Sequence, residues 1–190
     1  ILSKLSYTLK NYKKNMEKYR ISRARKEIEM FFLHDFCDFY LEMIKHRLYG
    51  DEEKTKNAAR ETLYQVLLSI LKMWAPIIPH ITEEIYQQLF KEKEKEESIH
   101  ASTFPEEIET DEESFKAVEQ AKEVISLLRQ YKTQNDMAMN TELEKITVET
   151  EDSGIKEAES VIKGTMKVKS MEYGKVDKGM ESEKIKIKVA

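Results

Sequence analysis

The sequence has 190 residues, and 36% of them are charged, with 32 basic and 36 acidic side chains and a net charge of −4. Five glycines and three prolines are few for this length, so the composition favours long helices with solvated outer faces. Cys37 is the single cysteine, which excludes an intrachain disulfide and a cysteine-based zinc site. No apolar run reaches the roughly 18 residues that a membrane span requires. We therefore expect a cytoplasmic protein with no membrane partner.

Apolar residues recur at helical spacing through the first part of the chain and predict four to five amphipathic helices. The chain begins with Ile1, already in a helical pattern, which suggests a piece of a longer protein. Gly50 is expected to end the second helix in a left-handed conformation. Similar helix lengths and short links are typical of a helical bundle. The predicted helices run from Ile1 to about Lys18, Ser22 to His46, Asp51 to Trp74, His80 to Phe90, and Glu112 through Tyr131.

Two prolines mark the junction between the third and fourth helices. Pro76 and Pro79 each lack a backbone donor, so a helix has to stop there. Ile77 and Ile78 between them are apolar where a solvated loop is usually polar, which predicts a buried corner. Thr82 is expected to cap the helix that follows. An irregular stretch from Ile99 to Asp111 then leads to the fifth helix.

The pattern changes after Asn135. Three short segments alternate between apolar and polar residues, as strands do, and a segment with helical spacing separates the first two. The predicted order is therefore β-α-β-β. The fold class is mainly α, with a helical bundle over residues 1–138 followed by a small α+β subdomain over residues 139–190.

The charges are unevenly distributed along the chain. Basic residues dominate from Lys4 to Lys26, where Glu17 is the single acid, and acidic residues dominate from Glu92 to Glu113. Such segregation favours a polyanionic partner that one surface binds and another repels. From charge alone, a solvated charged face explains the basic segment equally well.

Two segments closely resemble a known family. Phe32 to Tyr49, which contains Phe-Cys-Asp followed by Tyr-Leu-Glu, resembles the signature helix in the anticodon-binding domain of class I aminoacyl-tRNA synthetases. The corner from Ala75 to Ile85 is similar to that family's proline-containing Thr-Glu-Glu segment. The resemblance covers about Ile1 to Val148 and is strongest for the valine branch, while the same module of the isoleucine branch stays an alternative.

The resemblance implies RNA recognition, with tRNA, most readily valine tRNA, as the partner beside the catalytic and editing domains of the same polypeptide. Basic side chains would hold phosphates while unpaired bases are read at their edges. We name two candidate groups, and roughly 30 Å or more of helix separates Arg23 from Lys45, His46 and Arg47 of the second group. The first basic cluster comprises Lys13, Lys14, Arg20, Arg23, Arg25 and Lys26. The second basic cluster, expected to face the tRNA stem or another domain, comprises Lys45, His46, Arg47, Arg129 and Lys132.

The ATP-binding motifs of this family are missing from the sequence, and no phosphate-binding glycine loop replaces them. We therefore expect no catalytic residues, no metal site and no cofactor, with ATP and magnesium confined to a catalytic domain outside this sequence. The chain is then a fragment of a ligase that is inactive alone. A helical adaptor that binds a partner protein without RNA is the competing hypothesis.

Overall fold

The computed structural model describes residues 1–108, 111–150, 153–182 and 184–189. The contacts divide the chain into two compact units. Unit 1 comprises Ile1–Tyr40 and Gly50–Thr110, and unit 2 comprises Leu41–Tyr49 and Asp111–Ala190. Because these units reflect contacts and not independent folding, the domain boundary at residues 138 and 139 stays a prediction.

Most of the described chain is helical, which confirms the mainly α fold class. The predicted helix boundaries agree with the observed ones to within a few residues, except inside the second helix. Glu109 and Thr110, at the end of the predicted irregular stretch, lie outside the described residues. The α-helices are α1 (Leu2–Glu17), α2 (Ile21–Met30), α3 (Leu41–Leu48), α4 (Glu53–Trp74), α5 (Pro79–Leu89), α6 (Lys91–Glu94), α7 (Glu112–Gln134) and α8 (Glu159–Met166).

A π-helical segment, Phe31–Tyr40, follows α2 directly and is continued by α3. The sequence predicts one uninterrupted α-helix here, because the 3.6-residue period of apolar residues does not reveal the wider turn. Phe36 is buried and lies between two aromatic neighbours, with its ring centroid 6.1 Å from that of Phe32 and 6.0 Å from that of Tyr40. Aromatic stacking at four-residue spacing thus accompanies a helix geometry that is uncommon in proteins.

The corner between α4 and α5 has the predicted break but not the predicted burial. Pro79 occupies the first turn of α5, where a missing N–H costs nothing. Ile78 is 42% exposed, so the prediction of a buried corner is wrong. The core contacts come from Ala75 before the corner and Tyr86 after it, both of which are buried. Thr82 is not the cap either, because its buried hydroxyl donates to the Ile78 and Pro79 carbonyls, each at 3.0 Å.

Glu83 fastens α5 to the turn at Ile99–Ala101 within unit 1. Its carboxylate accepts from the Ser98 hydroxyl at 2.8 Å, from the Ile99 N–H at 3.0 Å and from the Gln87 amide. Burial opposes the negative charge, but these hydrogen bonds outweigh it and lower the pKa of Glu83. The charged carboxylate therefore holds the two segments together.

We expect Glu83→Ala to lower the free energy of unfolding at pH 7 by about 1–3 kcal/mol, because charge-assisted hydrogen bonds are lost and buried donors stay unpaired. A pKa that is lower in the folded state means that the carboxylate stabilises the fold above its unfolded pKa and loses this effect as the pH falls through the folded pKa. The difference between variant and wild type, measured by urea denaturation, should therefore shrink in acid. A pH-independent difference would contradict this role of the charge.

Unit 2 contains a four-stranded mixed sheet with the order β2-β1-β4-β3. The strands are β1 (Leu143–Glu149), β2 (Val168–Tyr173), β3 (Met180–Glu181) and β4 (Lys186–Val189). Strand β1 pairs with β2 in parallel and with β4 antiparallel, and β3 pairs with β4 antiparallel. The small α+β subdomain is confirmed, and β3 is an additional short strand that the predicted β-α-β-β order does not contain.

Buried side chains of the central strands form the core of unit 2 together with the helices. Ile146 and Ile187 are buried on the sheet, and Leu128 and Ile162 are buried on α7 and α8. Among the described residues, none of the helices combines the length and the apolar character needed to cross a membrane. Nor do three or more His, Cys, Asp or Glu side chains of that part of the chain gather where they could hold a metal ion.

Candidate nucleic-acid interface

The turn between α1 and α2 fixes the backbone position of Arg20, which lies at the centre of the first basic cluster. The Arg20 N–H donates to the Asn15 carbonyl at 2.8 Å, and the Tyr19 N–H donates to the Met16 carbonyl at 2.9 Å. This pair of bonds is the Schellman arrangement that closes a helix, with Tyr19 in the left-handed conformation at φ 54°. Arg20 therefore stands at the last residue before α2.

Five of the six members of the first basic cluster are exposed around this turn, namely Arg25, which is described below, and four others. Ala24 is fully buried and fixes the inward face of α2, which leaves the other faces of its first two turns to solvent. Among the described residues, none of the four forms an ion pair. They are Lys14, Arg20, Arg23 and Lys26.

Arg20 and Arg23 lie at the N-terminal end of α2, where their positive charges do not stabilise the helix. A helix N-terminus carries a partial positive charge, so cations there are unfavourable and acids are favourable. Arg20 nevertheless directly precedes helix α2, and Arg23 lies in its first turn, which has no acidic residue and no capping side chain. Helix stability therefore does not explain the cations.

The two other members of the first basic cluster have partners within unit 1. The Arg25 guanidinium lies 3.6 Å from the Glu29 carboxylate, one turn further along α2. The Lys13 ammonium lies 5.4 Å from the centroid of the Phe104 ring, which stacks on Tyr12 at 5.5 Å. An exposed pair of this kind contributes little stability, so Arg25 stays accessible to another anion.

The structure places the members of the second basic cluster in different surroundings. Lys45 is exposed and pairs with Glu42, while Arg47 and Arg129 are half-buried. His46 packs against Gly164 of α8, where a Cβ would lie only 2.5 Å from its Cγ. Burial lowers the pKa of His46, although the Met43 carbonyl opposes this effect, so a charged imidazole is disfavoured there.

Lys132 is fully buried, unlike the rest of the second basic cluster. Its ammonium donates to three carbonyls, those of Met139 at 2.9 Å, Thr141 at 2.7 Å and Met166 at 2.9 Å. Burial lowers its pKa, and the neighbouring Lys167 adds to this effect. All three N–H donors are used inside unit 2, so Lys132 is not available to RNA and we leave it out of the interface.

One residue at the turn was missed by the sequence analysis. Tyr19 is 90% exposed and lies between Lys18 and Arg20. The sequence does contain a signal, because an aromatic residue in a short link between two helices has cations on both sides. Its left-handed backbone was unexpected. The sequence analysis placed a left-handed residue at Gly50, and this prediction is wrong, because none of the described glycines has a positive φ.

Comparisons with known proteins identify a family model and curated relatives that match this sequence. A family model described as the anticodon-binding domain of tRNA ligase matches residues 1–148. The valine–tRNA ligase of Pyrococcus furiosus is 40% identical over 192 residues, which cover 99% of this chain and 22% of that protein. The corresponding protein of Thermococcus kodakarensis is 38% identical over 192 residues, with 99% and 22% covered.

A relative with lower sequence identity matches over nearly the same share of the chain. The valine–tRNA ligase of Methanocaldococcus jannaschii is 35% identical over 196 residues, which cover 98% of this chain and 21% of that protein. The chain thus spans about a fifth of the length of these curated relatives. The family model covers well over half of the chain, and the relatives confirm the expected resemblance to the valine branch. The chain belongs to the anticodon-binding domain family of tRNA ligases.

Proposed function

We propose that this chain binds valine tRNA through the first basic cluster and positions it for ATP-dependent valylation by a catalytic domain of the same polypeptide. The observation that carries the proposal is the pair of arginines, Arg20 and Arg23, at the unfavourable N-terminal end of α2. Family membership and the names of the relatives support tRNA as the anionic partner. We expect this to take place in the cytoplasm.

The side chains of Lys14, Arg20, Arg23 and Lys26 suit contacts to phosphates more than recognition of sequence. Lysine and arginine side chains that reach phosphates fix the position of a nucleic acid without reading its bases. Their combined effect depends on the release of counterions, so binding should weaken as salt is added. The chain therefore contributes affinity and orientation, and we assign it no step of the aminoacylation reaction.

The second basic cluster has a smaller part in the proposal. Lys45, Arg47 and Arg129 remain candidates for contacts to the tRNA stem or to another domain. His46 is a weaker candidate, because its pKa is lowered and its ring packs on α8. ATP and magnesium would act in the catalytic domain, outside the residues present in this sequence.

The test reverses the two arginines in the variant Arg20→Glu/Arg23→Glu. We expect the affinity for a transcript of valine tRNA to fall at least about tenfold, because two phosphate contacts become repulsions. The slope of log K against log salt should flatten by about 0.7–0.9 for each lost contact. Folding stability should stay equal or rise slightly, since acids at the start of α2 are favourable. Filter binding at several salt concentrations and thermal melting measure these effects.

A matched control is Lys54→Glu/Lys91→Glu, which changes the charge by the same amount at exposed first-turn positions of α4 and α6. Its affinity should change less than about threefold, because its charges lie outside the interface. Equal losses in both variants would show that only net charge matters. An unchanged affinity of the arginine variant would reject the first basic cluster as the binding surface. Binding of the tRNA transcript no tighter than that of a generic polyanion would reject tRNA as the partner.

A further inference from the structure

Tyr19 lies in a backbone conformation that few side chains adopt. It occupies the position of the Schellman turn at which glycine is usual, because a Cβ is disfavoured in the left-handed region. Glycine would fit the turn with less strain, so the local conformation does not require tyrosine. A non-glycine residue held in this way is a reason to ask what its side chain does.

Packing and hydrogen bonding do not explain the tyrosine either. The side chain is 90% exposed, and in the described part of the chain it makes no hydrogen bond and no ring contact. By contrast, Tyr12 of α1 is buried and stacks on Phe104. Tyr19 therefore contributes an exposed aromatic face that the fold itself does not use.

The surroundings of this ring indicate the partner. Lys18 and Arg20 are its neighbours in the chain, and all three side chains are exposed. The two backbone hydrogen bonds of the turn fix the Tyr19 Cα next to the start of α2, where Arg23 lies in the first turn. Proteins that bind unpaired nucleotides combine cations that hold the backbone with aromatic rings on which bases stack.

We propose that Tyr19 stacks on an unpaired base of the RNA whose phosphates are held by Lys14, Arg20, Arg23 and Lys26. This inference rests on the proposed function, and it adds a contact to a base where the cations contact only the backbone. Every base has a flat face, so the contact strengthens binding to a single-stranded loop without choosing one sequence. The turn fixes the backbone of Tyr19 before RNA arrives, so the contact requires no rearrangement of the main chain.

The test compares four substitutions at position 19 in otherwise unchanged protein. Tyr19→Phe keeps the aromatic face, Tyr19→Leu keeps an exposed apolar side chain without it, and Tyr19→Gly and Tyr19→Asn suit the left-handed turn. The probe is an RNA hairpin with the stem and anticodon loop of valine tRNA, together with hairpins in which each loop base in turn is replaced by an abasic residue. Fluorescence anisotropy gives the affinities, and thermal melting reports folding.

We expect Tyr19→Phe to bind as the wild type does and the other variants to bind about tenfold more weakly, which corresponds to about 1.4 kcal/mol. Their salt dependence should not change, because the phosphate contacts remain. One abasic hairpin should lower the affinity of the wild type but not that of Tyr19→Leu. The melting temperature of Tyr19→Gly should be equal or higher by about 2–4 °C, since the strain is relieved.

The outcomes separate this inference from the proposed function. Wild-type protein that binds the hairpin no better than polyphosphate would overturn both. Normal binding by the wild type together with equal binding by Tyr19→Leu would overturn the stacking contact alone. A loss in Tyr19→Leu that is the same for intact and all abasic hairpins would also overturn it, because the effect would then not involve a base. A loss in Tyr19→Leu alone, with normal binding by Tyr19→Gly and Tyr19→Asn, would mark a folding defect and reject stacking.

Discussion

Substitution of Lys132 by methionine is expected to destabilise unit 2 by about 3 kcal/mol, because buried carbonyls lose a charged hydrogen-bond donor. Methionine fills much of the space of the lysine stem but donates no hydrogen bond. The carbonyls of Met139, Thr141 and Met166 would then all lose the Lys132 ammonium as their donor. An unsatisfied buried acceptor is costly, and here three acceptors depend on one side chain.

The three carbonyls belong to two different segments of unit 2. Met139 and Thr141 precede β1, and Met166 ends α8 just before β2. We therefore expect hydrogen exchange to speed up at the start of both strands in Lys132→Met, along with a lower midpoint in urea. The control is Lys188→Met on β4, whose side chain is exposed and whose effect should stay within about 0.5 kcal/mol. Equal midpoints for the two variants would contradict the structural role of Lys132.

Truncation of Tyr86 to alanine is the second change with a large expected effect, a loss of about 3–5 kcal/mol in the free energy of unfolding. The side chain is fully buried beneath the corner. Its ring lies 6.4 Å from that of Phe90, and its hydroxyl donates to the Glu96 carbonyl at 3.2 Å. Alanine would leave a cavity in the cluster formed by Leu68, Leu71, Ala75, Tyr86, Phe90 and Ile99.

Two further variants divide the effect of Tyr86 into its parts. Tyr86→Phe keeps the ring and loses only the hydrogen bond, so about 1 kcal/mol should be lost. Leu89→Ala on the same helix removes a side chain that is 62% exposed, and its effect should be below about 1 kcal/mol. The fluorescence of Trp74, the single tryptophan, reports unfolding of unit 1. If Tyr86→Ala unfolds with the wild-type midpoint, the corner does not depend on this cluster.

The helices were predictable because amphipathic spacing is a local property of the sequence. The two prolines likewise located the break between α4 and α5, since the missing N–H acts at the residue itself. Burial of the corner was not predictable, because it depends on which surfaces meet in space. Ile78 is apolar but exposed, whereas the polar Thr82 is buried with its hydroxyl bonded to backbone carbonyls.

The candidate interface was predictable as a charged segment but not in its detail. The run of cations from Lys13 to Lys26 appears in the sequence, and so does its resemblance to the family. Whether a side chain faces solvent or the interior depends on the tertiary structure. For this reason the sequence analysis included the buried Lys132 in the candidate interface and left out the exposed Tyr19. A left-handed residue such as Tyr19 also cannot be predicted from the spacing of apolar residues. Glycine usually marks this position of a turn, and here the position holds tyrosine.

The division of unit 2 into two separate parts of the sequence affects how the chain folds. Leu41–Tyr49 belongs to this unit although Gly50–Thr110 belongs to the other, and His46 of α3 packs on Gly164 of α8. Contacts between such distant positions raise the contact order and slow folding. During synthesis on the ribosome, α3 emerges long before α8, so the contacts between these two helices form only after α8 has been made. Its apolar residues Met43 and Ile44 therefore stay uncovered during elongation, which makes this short helix a point at which a nascent chain is open to chaperones or to aggregation.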